Sequence, residues 1–273
     1  VTSFDAATLD TIEFPHLIAI DIDGTLIPND GVVRHRVIQA LEAVQAAGVT
    51  VVLSTGRSLS TTSPIARAAH LNGWLVCSNG AILATVEPET IIEAVTFKPR
   101  DFIDQMLPLL PNAIYSVEDQ WGVLNTNVAF RGGPLGMSVR ELPLELIREL
   151  DAARLVIRSE EHMESGLGHI VEALGLHEVQ FGIGKVAWLD IGPKDLNKAY
   201  MLKQLCTRLD LNPARSIAIG DGDNDTRMLE WAGLGVAMGH ASDHVKTFAD
   251  AVTHEEPGIG VAEVLEAVAN RAS

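Results

Sequence analysis

The stretch Leu17-Ile18-Ala19-Ile20-Asp21-Ile22-Asp23-Gly24-Thr25 decides the fold. It opens on a short apolar run with no helical periodicity, the pattern of a strand buried on both faces of a parallel sheet. The run ends in two aspartates and a Gly-Thr pair, and a turn-rich segment follows around Pro28-Asn29-Asp30-Gly31. Val37, Ile38, Leu41 and Val44 then recur at helical spacing and stop at Gly48, a natural C-terminal cap. Val49 to Leu53 predicts a second buried strand, followed by Ser54-Thr55-Gly56-Arg57 and a helix to about Leu71. Trp74-Leu75-Val76 starts a third strand. Strand and helix alternate, which predicts an α/β fold with right-handed crossovers, a Rossmann-like parallel sheet.

The pattern changes after Ala81. From Ile82 to Trp188 short alternating segments (Ala113 to Val117, Gly122 to Asn125, Leu155 to Arg158) mix with predicted helices over Pro99 to Leu110 and Glu161 to Leu174. That is an α+β signature. The alternating layout is expected to return at Leu189-Asp190-Ile191. After it come a helix from Asn197 to Leu209, a strand over Ser216 to Ile219, the run Gly220-Asp221-Gly222-Asp223-Asn224-Asp225, a strand from Leu234 to Met238 and a last helix over Val261 to Ala269. The reading is therefore one α/β core built from residues 1–81 and 189–273, with an α+β domain inserted at 82–188. Val1 to Glu13 reads as a loosely held lead-in.

The 273 residues are nearly half apolar, 47%, against 21% charged, a globular composition with room for two modest cores. A formal net charge of −16 argues against nucleic acid and anionic membranes as partners. A protein this acidic that handles phosphate must gather positive charge locally, in a metal site or a placed Lys or Arg. Cys77 and Cys206 lie in apolar surroundings without zinc or redox spacing, and fit small buried hydrophobes in a reducing compartment. No apolar run approaches the ~20 residues needed to span a bilayer, and the acidic N-terminus is unlike a secretory signal. The expected location is the cytoplasm, and a monomer is the default.

Ligands of open α/β sheets bind at the carboxyl ends of the strands. Four polar clusters fall there: Asp21 to Thr25, Ser54 to Arg57, the Lys198 region and Gly220 to Asp225. Gathered in an apolar cleft, Asp21, Asp23, Asp221 and Asp225 would repel one another, by roughly 4 kcal/mol for two charges about 4 Å apart at an effective dielectric near 20. A divalent cation resolves the repulsion, and all-oxygen ligation favours Mg²⁺. Lys198 and the donors around Thr55-Gly56 would hold phosphate oxygens. Of two aspartates spaced by two, one can attack phosphorus while the other protonates the leaving oxygen.

These residues resemble the haloacid dehalogenase superfamily of phosphohydrolases. Its opening motif, Asp-x-Asp-Gly-Thr after an apolar strand, is matched by Asp21 to Thr25, and its Ser or Thr after a second strand by Thr55. Asp190-Ile191-Gly192-Pro193 followed by Asn197-Lys198 resembles the motif lysine of the Cof-type subfamily, although Ala199 stands where Gly is common. Gly220, Asp221, Asn224 and Asp225 match Gly-Asp-x-x-Asn-Asp. The resemblance implies Asp21 as nucleophile and metal ligand, and Asp23 as general acid/base with a backbone carbonyl on the metal. It implies Asp221 and Asp225 on the metal as well. Thr55, Gly56, Lys198 and Asn224 would contact the phosphate, and the insert would be a C2-type cap that selects a small phosphate ester. Arg57, Arg131, Glu161 and His162 are further residues that could support the site or reach substrate. Two other readings stay open: a mutase or phosphotransferase sharing the aspartyl-phosphate, and a silent binder of a phosphorylated ligand. A dinucleotide site is excluded for want of Gly-x-Gly-x-x-Gly after the first strand.

Overall fold

A computed structural model describes residues 2–128, 139–161, 180–183 and 187–272. The chain divides into two compact units, Val1–Ile92 with Asn197–Ser273, and Glu93–Leu196.

The first unit begins with β1 (Thr2–Ser3) and a 3-10 turn over Ala6–Thr11. It continues through β2 (Leu17–Ile20), α1 (His35–Ala46), β3 (Thr50–Ser54), α2 (Leu59–Ala68), β4 (Trp74–Cys77), β5 (Ile82–Thr85) and β6 (Thr90–Ala94). In the inserted unit α3 (Arg100–Met106), β7 (Ile114–Asp119), β8 (Leu124–Thr126), β9 (Val139–Glu141), α4 (Leu144–Ile147), β10 (Ala152–Ser159), β11 (Gln180–Ile183) and β12 (Ala187–Ile191) follow. The first unit resumes with α5 (Lys198–Leu209), β13 (Ser216–Gly220), α6 (Thr226–Trp231), β14 (Leu234–Ala237), α7 (Asp243–Lys246), β15 (Ala251–Val252) and α8 (Ile259–Ala272).

The first unit's sheet runs β1-β15-β14-β13-β2-β3-β4-β5-β6. Every pairing from β1 to β4 is parallel, and β4 pairs β5 antiparallel. This is the α/β, mainly parallel sheet that the apolar runs predict. The central β2 is wholly buried, as a strand covered on both faces must be. Helices α1 and α8 pack on each other, and Val37, Leu41 and Val44 of the one and Val261, Val264 and Leu265 of the other are all buried at helical spacing.

The inserted unit carries a second sheet, β11-β12-β10-β7-β8-β9, mostly antiparallel. Its core gathers Ile103 and Met106 of α3, Tyr115 and Val117 of β7, Ile147 of α4, and Leu155 and Ile157 of β10. It is the α+β insert expected from the sequence.

Three readings need correction. Leu189-Asp190-Ile191 does not resume the core sheet but pairs with Leu155 to Ile157 inside the insert, because β12 completes that sheet's antiparallel ladder. The units accordingly join at Ile92/Glu93 and Leu196/Asn197, where the sequence placed the joins at 81/82 and 188/189. At the first join β5 folds back onto β4 and keeps Ile82 to Thr85 in the core sheet. Nor is the N-terminus a loose lead-in: Thr2 and Ser3 pair with Ala251 and Val252, Leu9 is buried, and Arg271 donates to the carbonyls of Leu9 and Ile12. The helix expected over Glu161 to Leu174 lies, beyond Glu161, outside the described residues.

Candidate active site

Since β2 is flanked by β13 and β3 in parallel register, the segments leaving the carboxyl ends of these strands fall side by side. That is where α/β sheets present functional groups. Asp21 follows β2 directly, its N–H donating to the Ile219 carbonyl of β13 at 2.9 Å. Its carboxylate, 5% exposed, faces inward.

Lys198 opens α5. Asn197 caps that helix by accepting from the Tyr200 N–H at 3.0 Å, which fixes where Lys198 starts. The fully buried Lys198 Nζ donates to Asp21 Oδ1 at 2.5 Å and to Asp225 Oδ1 at 2.6 Å. Asp225 Oδ2 in turn accepts from the N–H groups of Asp221 and Gly222 at 3.1 and 3.0 Å. Oxygens of Asp21, Asp221 and Asp225 all lie within 4.8 Å of one another. Two carboxylates share one ammonium, and a third stands beside them.

Electrostatics follow from that count. Burial, then the neighbouring Asp225 charge, push Asp21 up to about 8 against the opposing pull of Lys198. Burial also raises Asp221, with Asp225 adding to it and the Thr25 hydrogen bond opposing. Burial alone would lower Lys198, but Asp21 and Asp225 outweigh it and hold the ammonium above its ordinary value. The cluster is thus short of positive charge. The donor set fits a hard divalent cation: three carboxylates, oxygen only, of which Asp21 and Asp221 are displaced in the direction a cation would reverse.

Asp221 is held from two sides. Thr25 Oγ1 donates to its Oδ1 at 2.7 Å, and His240 Nε2 lies 3.2 Å from its Oδ2. The other ring nitrogen, Nδ1, is 2.5 Å from the Glu255 carbonyl, which can only accept, so Nδ1 carries a proton. His240 escaped the sequence reading because it stands alone in a loop after β14 with no motif around it.

Asp23 departs from expectation. Spacing by two along an extended chain would aim it the same way as Asp21, but the chain turns immediately after β2: the Asp21 carbonyl accepts from Leu26 N–H, and Asp23 bridges to Ile27. Asp23 is therefore exposed, and Arg57 holds it with both arms of its fork, Nε to Oδ2 at 2.7 Å and a terminal nitrogen to Oδ1 at 2.5 Å. The same ion pair raises the Arg57 guanidinium.

Thr55, Gly56 and Asn224 form a second group. Thr55 is buried, with its N–H on the Val76 carbonyl and its hydroxyl accepting the Arg57 N–H at 3.1 Å. Asn79, on the turn after β4, donates its N–H to the Thr55 carbonyl, packs against Gly56, and accepts from Asn224 Nδ2 at 3.0 Å. Asn79 was also missed; a lone Asn before Gly80 reads as turn chemistry. Glu161 accepts from Asn112 at 2.8 Å, while Arg131 and His162 lie outside the described residues. A cleft of about 570 Å³ opens beside the cluster, lined by Asp23, Gly24, Asp221, His240 and Glu255 among others. Among the described residues no helix is long and apolar enough to cross a membrane.

Known proteins resemble this chain over most of its length. The sequence model of the haloacid dehalogenase-like hydrolases matches residues 18–265. A phosphoglycolate phosphatase of Methanopyrus kandleri is 30% identical over 91% of this chain and 95% of its own. A 5-amino-6-(5-phospho-D-ribitylamino)uracil phosphatase of Bacillus subtilis is 26% identical over 92% and 97%. A haloacid dehalogenase-like hydrolase of Bacteroides thetaiotaomicron shares the fold with a TM-score of 0.77 at 24% identity, covering 92% of this chain and 98% of that one. Fold, motifs and relatives agree: the chain belongs to the haloacid dehalogenase-like hydrolase family and is an enzyme of its phosphatase kind.

Proposed function

We propose that the chain hydrolyses a small phosphomonoester in a Mg²⁺-dependent reaction that passes through an aspartyl-phosphate on Asp21. The observation that carries the reading is the cluster, buried but for Asp221, in which oxygens of Asp21, Asp221 and Asp225 lie within 4.8 Å while Lys198 bridges Asp21 and Asp225. Asp21, Asp221 and Asp225, with the Asp23 carbonyl, are the residues to hold the cation. Bound there, Mg²⁺ would relieve the repulsion among the carboxylates and draw charge from the phosphoryl oxygens.

The chain's own groups divide the remaining work. Asp21, held by Lys198 at the end of a rigid strand, attacks phosphorus. Lys198, Thr55, Gly56 and Asn224 hold the phosphoryl oxygens. Asp23, exposed, takes up a proton from solvent once it leaves Arg57, gives that proton to the leaving oxygen and then takes one from the water that opens the aspartyl-phosphate. Part of the selection among substrates falls to the inserted unit, which we read as the cap. The two buried cysteines, Cys77 and Cys206, suit the reducing cytoplasm.

The test is phosphate release from a panel of sugar phosphates, pyridoxal phosphate, flavin mononucleotide and short phosphorylated acids, with and without Mg²⁺. The reading expects release that needs Mg²⁺ and falls roughly a thousandfold or more in Asp21→Asn. Folded, Mg²⁺-bound protein that releases phosphate from none of them would reject it. Isomerised sugar phosphate in place of free phosphate would point to a mutase.

A further inference from the structure

The Arg57–Asp23 pair stands apart from the buried cluster in position and in consequence. Under the reading proposed above, Asp23 must touch the oxygen that leaves with the alcohol. As the structure stands, both its oxygens are engaged by Arg57. Whatever hangs from the ester oxygen therefore passes within one side chain's reach of a guanidinium already arranged to take a carboxylate. The pair is open to exchange, its side chains being 33% and 58% exposed. The adjoining cleft is lined by Asp23, Asp221 and Glu255 together with His240. Arg57, which reaches its edge through Asp23, offers an anionic leaving group a guanidinium fork. Arg57 is also tied to the phosphate loop, its N–H bonded to the Thr55 hydroxyl two residues back. One short segment thus carries a hydroxyl for the phosphoryl end and a cationic fork for the other end.

We infer that Arg57 is a specificity-determining residue that takes a carboxylate on the leaving group, so that a short phosphorylated carboxylic acid displaces Asp23 from the fork and frees it for the ester oxygen. The inference rests on the phosphatase reading and adds the substrate class. Exchange of one carboxylate for another on the same guanidinium preserves the bidentate pair, so releasing Asp23 leaves the Arg57 cation matched. A substrate with an uncharged tail would have to break the pair without replacing it.

The experiment compares two matched substrate pairs that differ in the carboxylate: 2-phosphoglycolate against ethylene glycol monophosphate, and 3-phosphoglycerate against glycerol 3-phosphate. The readout is the ratio of kcat/KM within each pair, with Mg²⁺ present, for the native chain, Arg57→Gln and Arg57→Lys. In at least one pair the native enzyme should favour the carboxylate by about ten- to a hundredfold, the range of a charge-assisted bidentate contact. Arg57→Gln should bring that ratio to within about threefold of one. Arg57→Lys, which keeps the charge and loses the fork, should fall between, and it serves if Arg57→Gln does not fold. Hydrolysis of both members without preference by the native chain would overturn the inference alone. So would an equal fall on both members in the variants, since Arg57 would then act only through Asp23. Release from no ester at all would overturn the phosphatase reading and this inference with it.

Discussion

At Gly24 the backbone takes φ +82°, and a Cβ there would sit 2.4 Å from Asp221 Oδ2. Both facts forbid a side chain, so the Asp-Gly-Thr turn brings its backbone against Asp221 while Thr25 bonds that carboxylate's other oxygen. Gly24→Ala should therefore displace Asp221 as well as strain the turn. We expect a stability loss of more than about 1 kcal/mol in urea unfolding and at least a tenfold weaker Mg²⁺ affinity by titration calorimetry. Unchanged affinity would show that Asp221 is not held by this approach. Residues of this kind were legible in the sequence because strand, turn and carboxylate come in one contiguous run. The orientation of Asp23 was not, because period-two alternation ends where the strand ends. His240 and Asn79 were silent because their role comes from partners 19 and 145 residues away.

Among the elements, α5 and the turn after β4 place the site. Asn197 caps α5, and Gly80, at φ +102°, lies so close that a Cβ would meet the Asn197 carbonyl at 2.3 Å. The start of α5 is thus fixed by a cap and by a backbone approach at once. Asn197→Ala should cost about 1 kcal/mol in urea unfolding through loss of the cap. It should also lower kcat with little change in KM, since the cap sets Lys198 against Asp21, the proposed nucleophile; loss of stability with kcat intact would separate the cap from the chemistry. The buried parallel strands were readable because a strand covered on both faces has to be apolar throughout. The edges were not. A two-residue β1 and a 3-10 turn carry no period, and β12 resembles a core strand in composition while its hydrogen bonds go to β10. Apolar runs report burial, and they are mute about which sheet does the burying.

For the whole molecule the governing quantity is charge. A chain of net charge −16 buries two carboxylates on one lysine and sets a third, partly exposed, beside them. The elevated protonation range of Asp21 makes metal-free stability depend on pH. Burial and the Asp225 charge push Asp21 up to about 8 in the folded chain, against an ordinary value of 3.8. Between these, the folded state holds a proton that the unfolded chain has released, so stability falls as pH rises through this window. Asp221, raised in the same direction, adds to the trend. A divalent cation binds the ionised form, and its stabilisation grows as that form becomes available. The melting temperature gained on adding saturating Mg²⁺ should accordingly be larger at pH 8 than at pH 6, and chelation should reverse it. An equal gain at both values would place the cation elsewhere.

The claim that Asp21 is the nucleophile is tested most directly by catching the phosphoryl group on it. Asp23→Asn protein, in which opening of the acyl phosphate is slowed, would be mixed with the best substrate and Mg²⁺, quenched in acid within milliseconds, and mapped by peptide mass spectrometry. The account predicts one phosphoryl group on the peptide holding Leu17 to Thr25, assigned to Asp21 and absent without Mg²⁺. A phosphoryl group on another residue, or undiminished Mg²⁺-dependent turnover by Asp21→Asn, would contradict it.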